Sequence, residues 1–509
     1  MNFQTITPDQ WTQHESELLE RLKDSNQWDS IPSLNVNDVQ NLHDMRLVRF
    51  RGMIQDIFNP EYYHEQYEVI INRATNERSL RNAIYRDITY CKDKEVIDYD
   101  SEKNIIKERH TMVVITTPGL NEWVYNIEKD KNKIQTFKTV EIAPRKRSLD
   151  AEEEMETEPI ERMSSDNKKQ CTIKPQTNTK TVSREHLLNV PLPDPQAKAC
   201  HVKLYKHFSK IKLNDIVEVI GFLSVDPALT DFSFEDDFEN EMEIQTHNPP
   251  PSLIPRVHCV TFKKITHVNP LLDSAPLSID RIPSVKKELN VVLTQLLMGD
   301  TLAAEYLMKS CFKYSNVPTA DVTDFGRKLS EFVALMVPTS YYLPMSLENM
   351  NELSFIPKKD YECDRLTSGL LQLSPNTQLI LDETQLAPGR LNESGVKAIT
   401  ALSSAIKHQK VTYDFNFYPV EMDCDIAFLI LSEGKTLLSS DFQVHLKPDP
   451  DYVQTYQEIV EASKIFLKPE LLNDIRVYLT QVRHSSFELN DEVHEMIQND
   501  TYNCDNPNQ

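Results

Sequence analysis

Asp382 and Glu383 end the apolar run of NTQLILDETQL, residues 376–386, and are the chain's foremost candidates for chemistry. The residues from Gln378 to Leu381 read as a buried strand leading into the pair. Acids delivered at the end of such a strand are how many nucleotide-hydrolysing enzymes hold magnesium and polarise water. That chemistry needs a second half. Successive backbone N–H groups of a glycine-rich loop must converge on the phosphates, with a Lys behind them and a Ser or Thr for the metal. The chain has nine glycines, and no G-x-x-x-x-G-K-[ST] occurs among them. Two stretches compete for the place. GDTLAAEY begins at Gly299 but puts Glu305, a carboxylate, where the lysine belongs. DVTDFGRK, from Asp321 to Lys328, has one glycine, Gly326, followed by Arg327 and Lys328. Neither builds a phosphate nest from a single glycine. The alternative for Asp382 and Glu383 is structural, because acids at a buried strand's end commonly cap a following helix or face a solvent-filled crevice.

The totals bound what such residues can belong to. At 509 residues the chain suggests roughly three domains. It is 39% hydrophobic and 26% charged, enough apolar material for large cores. Lys and Arg number 55 against 78 Asp and Glu, a net charge of −23. Such a surface repels a phosphate backbone, so direct nucleic-acid binding is not expected and basic faces of partner proteins are. The eight cysteines (91, 171, 200, 259, 311, 363, 424 and 504) show no metal-ligand spacing. No zinc or other metal is expected, and the thiols read as reduced, in an intracellular setting. The N-terminal MNFQTITPDQW has no apolar signal core and no run of 18 apolar residues occurs, so a soluble protein without a membrane span is expected.

The elements fall into an α/β protein with a separate β region. WTQHESELLERLKD reads as an amphipathic helix presenting Trp11, Leu18, Leu19 and Leu22. RLVRFRGMIQDIF alternates around Gly52 and reads as a strand with a bulge or bend. TMVVITTPG is a strand stopped by Pro118-Gly119, and KLNDIVEVIGFLSVDP a buried strand broken at Gly221. These pieces suit a small Greek-key barrel of the OB type. Between them, acids fill seven of the twelve positions from Asp150 to Glu161, so 144–186 reads as a disordered insert. Its leading Arg145, Lys146 and Arg147 fit a nuclear-import patch and equally a solvated loop. A second acidic stretch carries Phe232, Phe234 and Phe238, suiting either a docking segment or a linker. From 284 onward, VKKELNVVLTQLLMGDTLAAEYLMKSCF is helical in period, nearly free of breakers apart from Gly299. QLILDE, VKAITALSSAIKHQ, CDIAFLILSEG and PELLNDIRVYLTQVR then alternate strand with helix, arguing for a mostly parallel sheet.

Those stretches carry a resemblance. VALMVPTSYYLPMS, SGLLQLSPNTQLILDETQL, VKAITALSSAIKHQKVTYDF and FLKPELLNDIRVYLTQVR resemble segments of the mini-chromosome maintenance (MCM) replicative helicases, AAA+ ATPases with an OB-bearing N-terminal region. RLVRFRGMIQDIFNPEYY, VEVIGFLSVDP, HVNPLL, LLMGDTLAAEYL and IPKKDYECDRLTSGLLQL are similar, almost residue for residue, to the MCM-binding protein family. The helicase comparison, through Pro338 of ALMVP, places DVTDFGRK at the phosphate loop and leaves GDTLAAEYL as an earlier packing helix. It also puts Ser432 where a sensor Asn belongs, and Asp441 near the catalytic arginine's place. An acid there opposes transition-state charge. The chain ends soon after DEVHEMIQND, where the helicases continue into a lid.

The resemblance thus implies an MCM-like architecture with a degenerate AAA+-like domain and an incomplete lid. Its expected layout is 1–143 helical and OB-like, 144–186 insert, 187–230 OB continuation, 231–283 acidic linker with a connecting strand, and 284–509 AAA+-like. The implied role is non-catalytic: a cofactor-free nuclear partner of MCM helicase subunits that supports assembly, stability or unloading in DNA replication. A divergent ATPase using Asp382 and Glu383, or an OB-type nucleic-acid binder, are the alternatives.

Overall fold

The computed structural model describes residues 3–72, 77–92, 95–140, 182–226, 241–272, 276–307, 312–319, 322–434, 437–440, 442–486, 488 and 490–505. Arg145, Lys146, Arg147, Phe232, Phe234, Phe238, Asp321 and Asp441 lie outside them, as does the insert up to residue 181.

Eight strands build the N-terminal sheet: β1 (Leu47–Ile57), β2 (Glu61–Asn72), β3 (Glu77–Asn82), β4 (Val96–Asp98), β5 (Ile105–Ile115), β6 (Ala199–Leu204), β7 (Ile216–Ser224) and β8 (Arg256–Lys264). Five of them close on themselves in the order β1-β7-β8-β6-β5, because β1 pairs with both β7 and β5. Every pairing in that ring is antiparallel except β6 with β8. The fifth strand of the ring, β8, lies at Arg256–Lys264, after the second acidic stretch. The pairs of β2 with β3 and β4 extend beyond the ring as an arm.

Alternation explains why β7 is buried along its whole length. Val217, Val219 and Leu223 fill the barrel. Ile220 and Phe222 point outward under the helix Pro8–Arg21, against Trp11 and Leu18. That helix starts at a capping box in which Thr7 and Gln10 bond each other's backbone N–H groups. One sequence expectation is corrected here. β7 is not broken at Gly221; it runs through with a register shift against β8. The bulge in β1 falls between Ile54 and Asp56. Gly52 marks the corner where β1 passes from β7 to β5, and a Cβ there would overlap the Ile115 carbonyl. A second correction concerns the insert: its last residues, 183–186, are ordered, the Ser183 hydroxyl capping the helix Arg184–Leu188 that runs on past them.

The C-terminal half has two sheets. One is wholly parallel, in the order β10-β13-β16-β9-β17, formed by β9 (Phe312–Ser315), β10 (Ser340–Pro344), β13 (Thr377–Asp382), β16 (Ile426–Leu431) and β17 (Phe442–His445). Helices Ile282–Leu296, Phe325–Met336, Tyr456–Phe466 and Pro469–Arg483 share one core on it, and Glu393–His408 packs the other face. Leu379, Ile380, Leu381, Phe428, Leu429 and Ile430 are at most 1% exposed, as strands covered on both sides must be. The second sheet runs β12-β11-β14-β15, from β11 (Lys358–Asp360), β12 (Arg365–Thr367), β14 (Lys410–Asp414) and β15 (Pro419–Asp423). The long helix expected from 284 is two helices, Ile282–Leu296 and Thr301–Leu307, parted where Gly299 takes φ +86°.

The halves are bonded together. Gln55, at the β1 bulge, donates from Nε2 to the Leu366 carbonyl at 2.7 Å, and Asp56 Oδ2 accepts from Leu366 N–H at 2.7 Å. Trp123 Nε1 donates to the Val337 carbonyl at 3.0 Å, and Arg476 lies over the Trp123 ring at 4.2 Å. Five described cysteines, Cys91, Cys200, Cys259, Cys363 and Cys424, are free thiols. Among the described residues no helix is long and apolar enough to cross a membrane.

Candidate functional site

Strand order decides where a ligand crevice opens. β9 and β16 are neighbours, yet the chain leaves β9 for β10 at one edge and leaves β16 for β17 on the opposite side. Loops that diverge from adjacent parallel strands open a crevice beyond their C-terminal ends. Around it stand residues 316–319 and 322–324 after β9, Asp382 and Glu383 after β13, and Ser432 after β16. Gly326, Arg327 and Lys328 open the helix that follows the first of these loops. GDTLAAEY does not join them. Its helix buries Ala303 and Ala304 in the core and leaves Glu305 exposed.

Asp382 is 1% exposed and fully engaged. Its Oδ1 accepts from Thr384 N–H at 3.0 Å and Thr384 Oγ1 at 2.6 Å, capping the short turn Glu383–Gln385. Its Oδ2 accepts from the Tyr342 hydroxyl at 2.6 Å. Burial and then this bond push the Tyr342 phenol well above its ordinary range. The same oxygen lies against Gly326, where a Cβ would overlap it and approach Leu431 Cδ1 at 3.1 Å. The first turn of the helix Phe325–Met336 therefore faces a carboxylate of its own chain. In a phosphate-binding protein, that positive end of the helix is what faces the anion.

The other polar groups are likewise engaged within the protein. Glu383 accepts from Leu437 N–H at 3.3 Å. Lys313, on β9, is 1% exposed and donates to the Gly434 carbonyl at 3.3 Å. Burial lowers its pKa, while the Glu383 carboxylate pulls the other way. Arg327 pairs with Asp324 at 2.8 Å, and Lys328 lies over the Tyr456 ring at 5.5 Å. Thr319 donates to Glu433, and the Ser432 backbone zips β16 to Tyr314 and Val317 at 3.0 and 3.2 Å. Among the described residues, Asp382 and Glu383 gather no third His, Cys, Asp or Glu within reach of one cation. The crevice is thus knitted by side chains that answer one another.

Tyr342, Thr384 and Lys313 were not singled out in the sequence. Thr384 carries a readable signal, since D-x-T after a strand is an Asx-type turn. Tyr342 lies 40 residues from Asp382 and meets it only because β10 and β13 pair in parallel. A cavity of about 770 Å³ opens at the opposite end of the sheet, beside Asn376, Gln378, Ile426, Met336 and Arg483, away from all of these residues.

Comparison with known proteins agrees across the chain. The family described as mini-chromosome maintenance replisome factor matches residues 18–313 and 309–508. A Drosophila melanogaster mini-chromosome maintenance complex-binding protein is 37% identical over 97% of this chain and 88% of its own length. Proteins of that name from Danio rerio and Homo sapiens are 34% and 33% identical, each over 94% of this chain and over 83% and 84% of their own lengths. With both halves matched at this level, the chain belongs to the mini-chromosome maintenance complex-binding protein family.

Proposed function

We propose that the protein is a non-catalytic partner of the MCM replicative helicase, acting in the nucleus as an assembly or unloading chaperone for MCM subunits. The names of its relatives support MCM binding. The closed five-stranded barrel supports the OB-type reading of the N-terminal half. The parallel sheet, with a helix following β9 beside the edge strand β17, supports the degenerate AAA+-like reading of the C-terminal half. One observation carries the loss of catalysis: the Asp382 carboxylate is saturated by Tyr342 and Thr384 and pressed against Gly326, at the place a phosphate and its magnesium would need. A protein shaped like a helicase subunit, with that crevice filled, can still present ring-type interfaces to real subunits. Its −23 charge suits competition with DNA for their basic faces. The experiment is a pull-down of the purified chain from nuclear extract, with and without ATP. Recovery of MCM subunits regardless of nucleotide supports the reading. Retention of none removes it.

A further inference from the structure

Away from the crevice, three parts of the chain bring metal-ligating side chains together. Glu243 and His247 stand one turn apart on the helix Glu241–His247, and so share a face. Asp364 lies in the turn between β11 and β12. One ligand atom from each of the three falls within 4.8 Å of the other two, and all three residues are half-buried.

The surroundings hold His247 and Asp364 in position. His247 Nε2 is 2.9 Å from the Cys363 carbonyl, and its ring packs on Phe58 with centroids 4.2 Å apart. A carbonyl only accepts, so Nε2 carries a proton, and in the neutral imidazole Nδ1 then holds the free lone pair. Asp364 Oδ2 accepts from Asn59 Nδ2 at 2.8 Å, and Oδ1 lies 2.7 Å from Lys359 Nζ. An imidazole donating its far N–H to a carbonyl, and a carboxylate held by hydrogen bonds, are the outer partners that orient metal ligands.

We propose that Glu243, His247 and Asp364 form a divalent-cation site. One imidazole and two carboxylates suit Zn²⁺, with water completing the coordination. Calcium wants six or more oxygens, and magnesium gives up its water reluctantly. The two carboxylates balance the dication, and Lys359 is the opposing charge that shares Asp364. A bound ion would tie the segment leading into β8 of the barrel to the small β12-β11-β14-β15 sheet. It would do so beside the β1–β2 turn that supplies Asn59. The ion would bridge 117 residues of chain (364 − 247), reinforcing the contacts that Gln55 and Asp56 make to Leu366.

The test uses the full-length protein, stripped with a chelator and titrated with Zn²⁺ alone by calorimetry. Co²⁺ absorption in the visible range serves as a second readout of an ordered N/O site. One ion per chain is expected, with binding lost in Glu243→Gln and in Asp364→Asn. Asn59→Ala, which removes only an orienting partner, is expected to weaken binding about ten-fold. Glu243→Gln keeps the side chain's size, and its metal-free thermal midpoint reports whether the fold is intact. If the wild-type chain takes up no Zn²⁺, or the variants bind it as tightly as wild type, the proposal is overturned.

Discussion

Replacing Gly326 by Ala asks directly whether the crevice is filled by design of the fold. A new methyl would overlap Asp382 Oδ2 and press Leu431 Cδ1 at 3.1 Å. Asp382 has little room to yield, because Tyr342 and Thr384 hold both its oxygens. Overpacking of this kind costs about 1–3 kcal/mol. Exchanging Gly for Ala in a helix returns about 0.5–1 kcal/mol. The net is a loss of about 1–2 kcal/mol, or a drop of about 2–8 °C in the melting of a unit this size. The midpoint is the quantity to compare, since a chain of several units need not unfold in one step. The decisive arm is a double-mutant cycle with Asp382→Ala. Once the carboxylate is gone, Gly326→Ala should be neutral or stabilising, giving a coupling of about 1.5–3 kcal/mol. If Gly326→Ala is harmless in the wild-type background, Asp382 swings freely and the crevice is open. That result would refute the reasoning.

Three further outcomes follow from the same geometry. Tyr342→Phe removes the hydroxyl that Asp382 Oδ2 accepts from, and should cost about 1.5–3 kcal/mol, seen as a lower thermal midpoint. Glu218 is 1% exposed among Trp28, Arg49, Arg51 and Lys263; burial alone would raise its pKa, but Arg51, Arg49 and Lys263 outweigh that and hold it at about 2. Its folded pKa lies below its unfolded value of 4.5, so it contributes about 3 kcal/mol that is present above pH 4.5 and lost as pH falls toward 2. Glu218→Gln should therefore flatten the acid limb of a stability–pH curve. Arg476→Met removes the cation over Trp123 and its 2.8 Å bond to the Leu335 carbonyl, for about 2 kcal/mol, with a changed Trp fluorescence as the halves loosen.

How much of this was legible depended on whether a residue's partners lay near it in sequence. IVEVIGFLS, TQLILD and IAFLIL announce buried strands through their β-branched and apolar runs. The capping box at Thr7 and Gln10 is equally local. FKYS escaped notice as β9, because four residues with a Lys at the second position carry no strand signal. Lys313 makes sense only beside Glu383 and Gly434. Gly221 looked like a breaker, yet the barrel uses its missing side chain where β7 and β8 shift register. At the candidate site, Asp382 could be named from the local pattern, while the choice of Gly326 and Arg327 over GDTLAAEY rested on the helicase resemblance. Their mutual contacts, which set what the site can do, depend on strand order. The trio Glu243, His247 and Asp364 depends on it too, spanning 121 residues (364 − 243).

The most direct measurement is the affinity of the purified protein for purified MCM helicase subunits, taken without nucleotide, with ATP, and with a non-hydrolysable ATP analogue. Under the proposed non-catalytic role, the complex has indistinguishable dissociation constants in all three. Failure to bind any subunit, or binding that appears only when nucleotide is present, would contradict it.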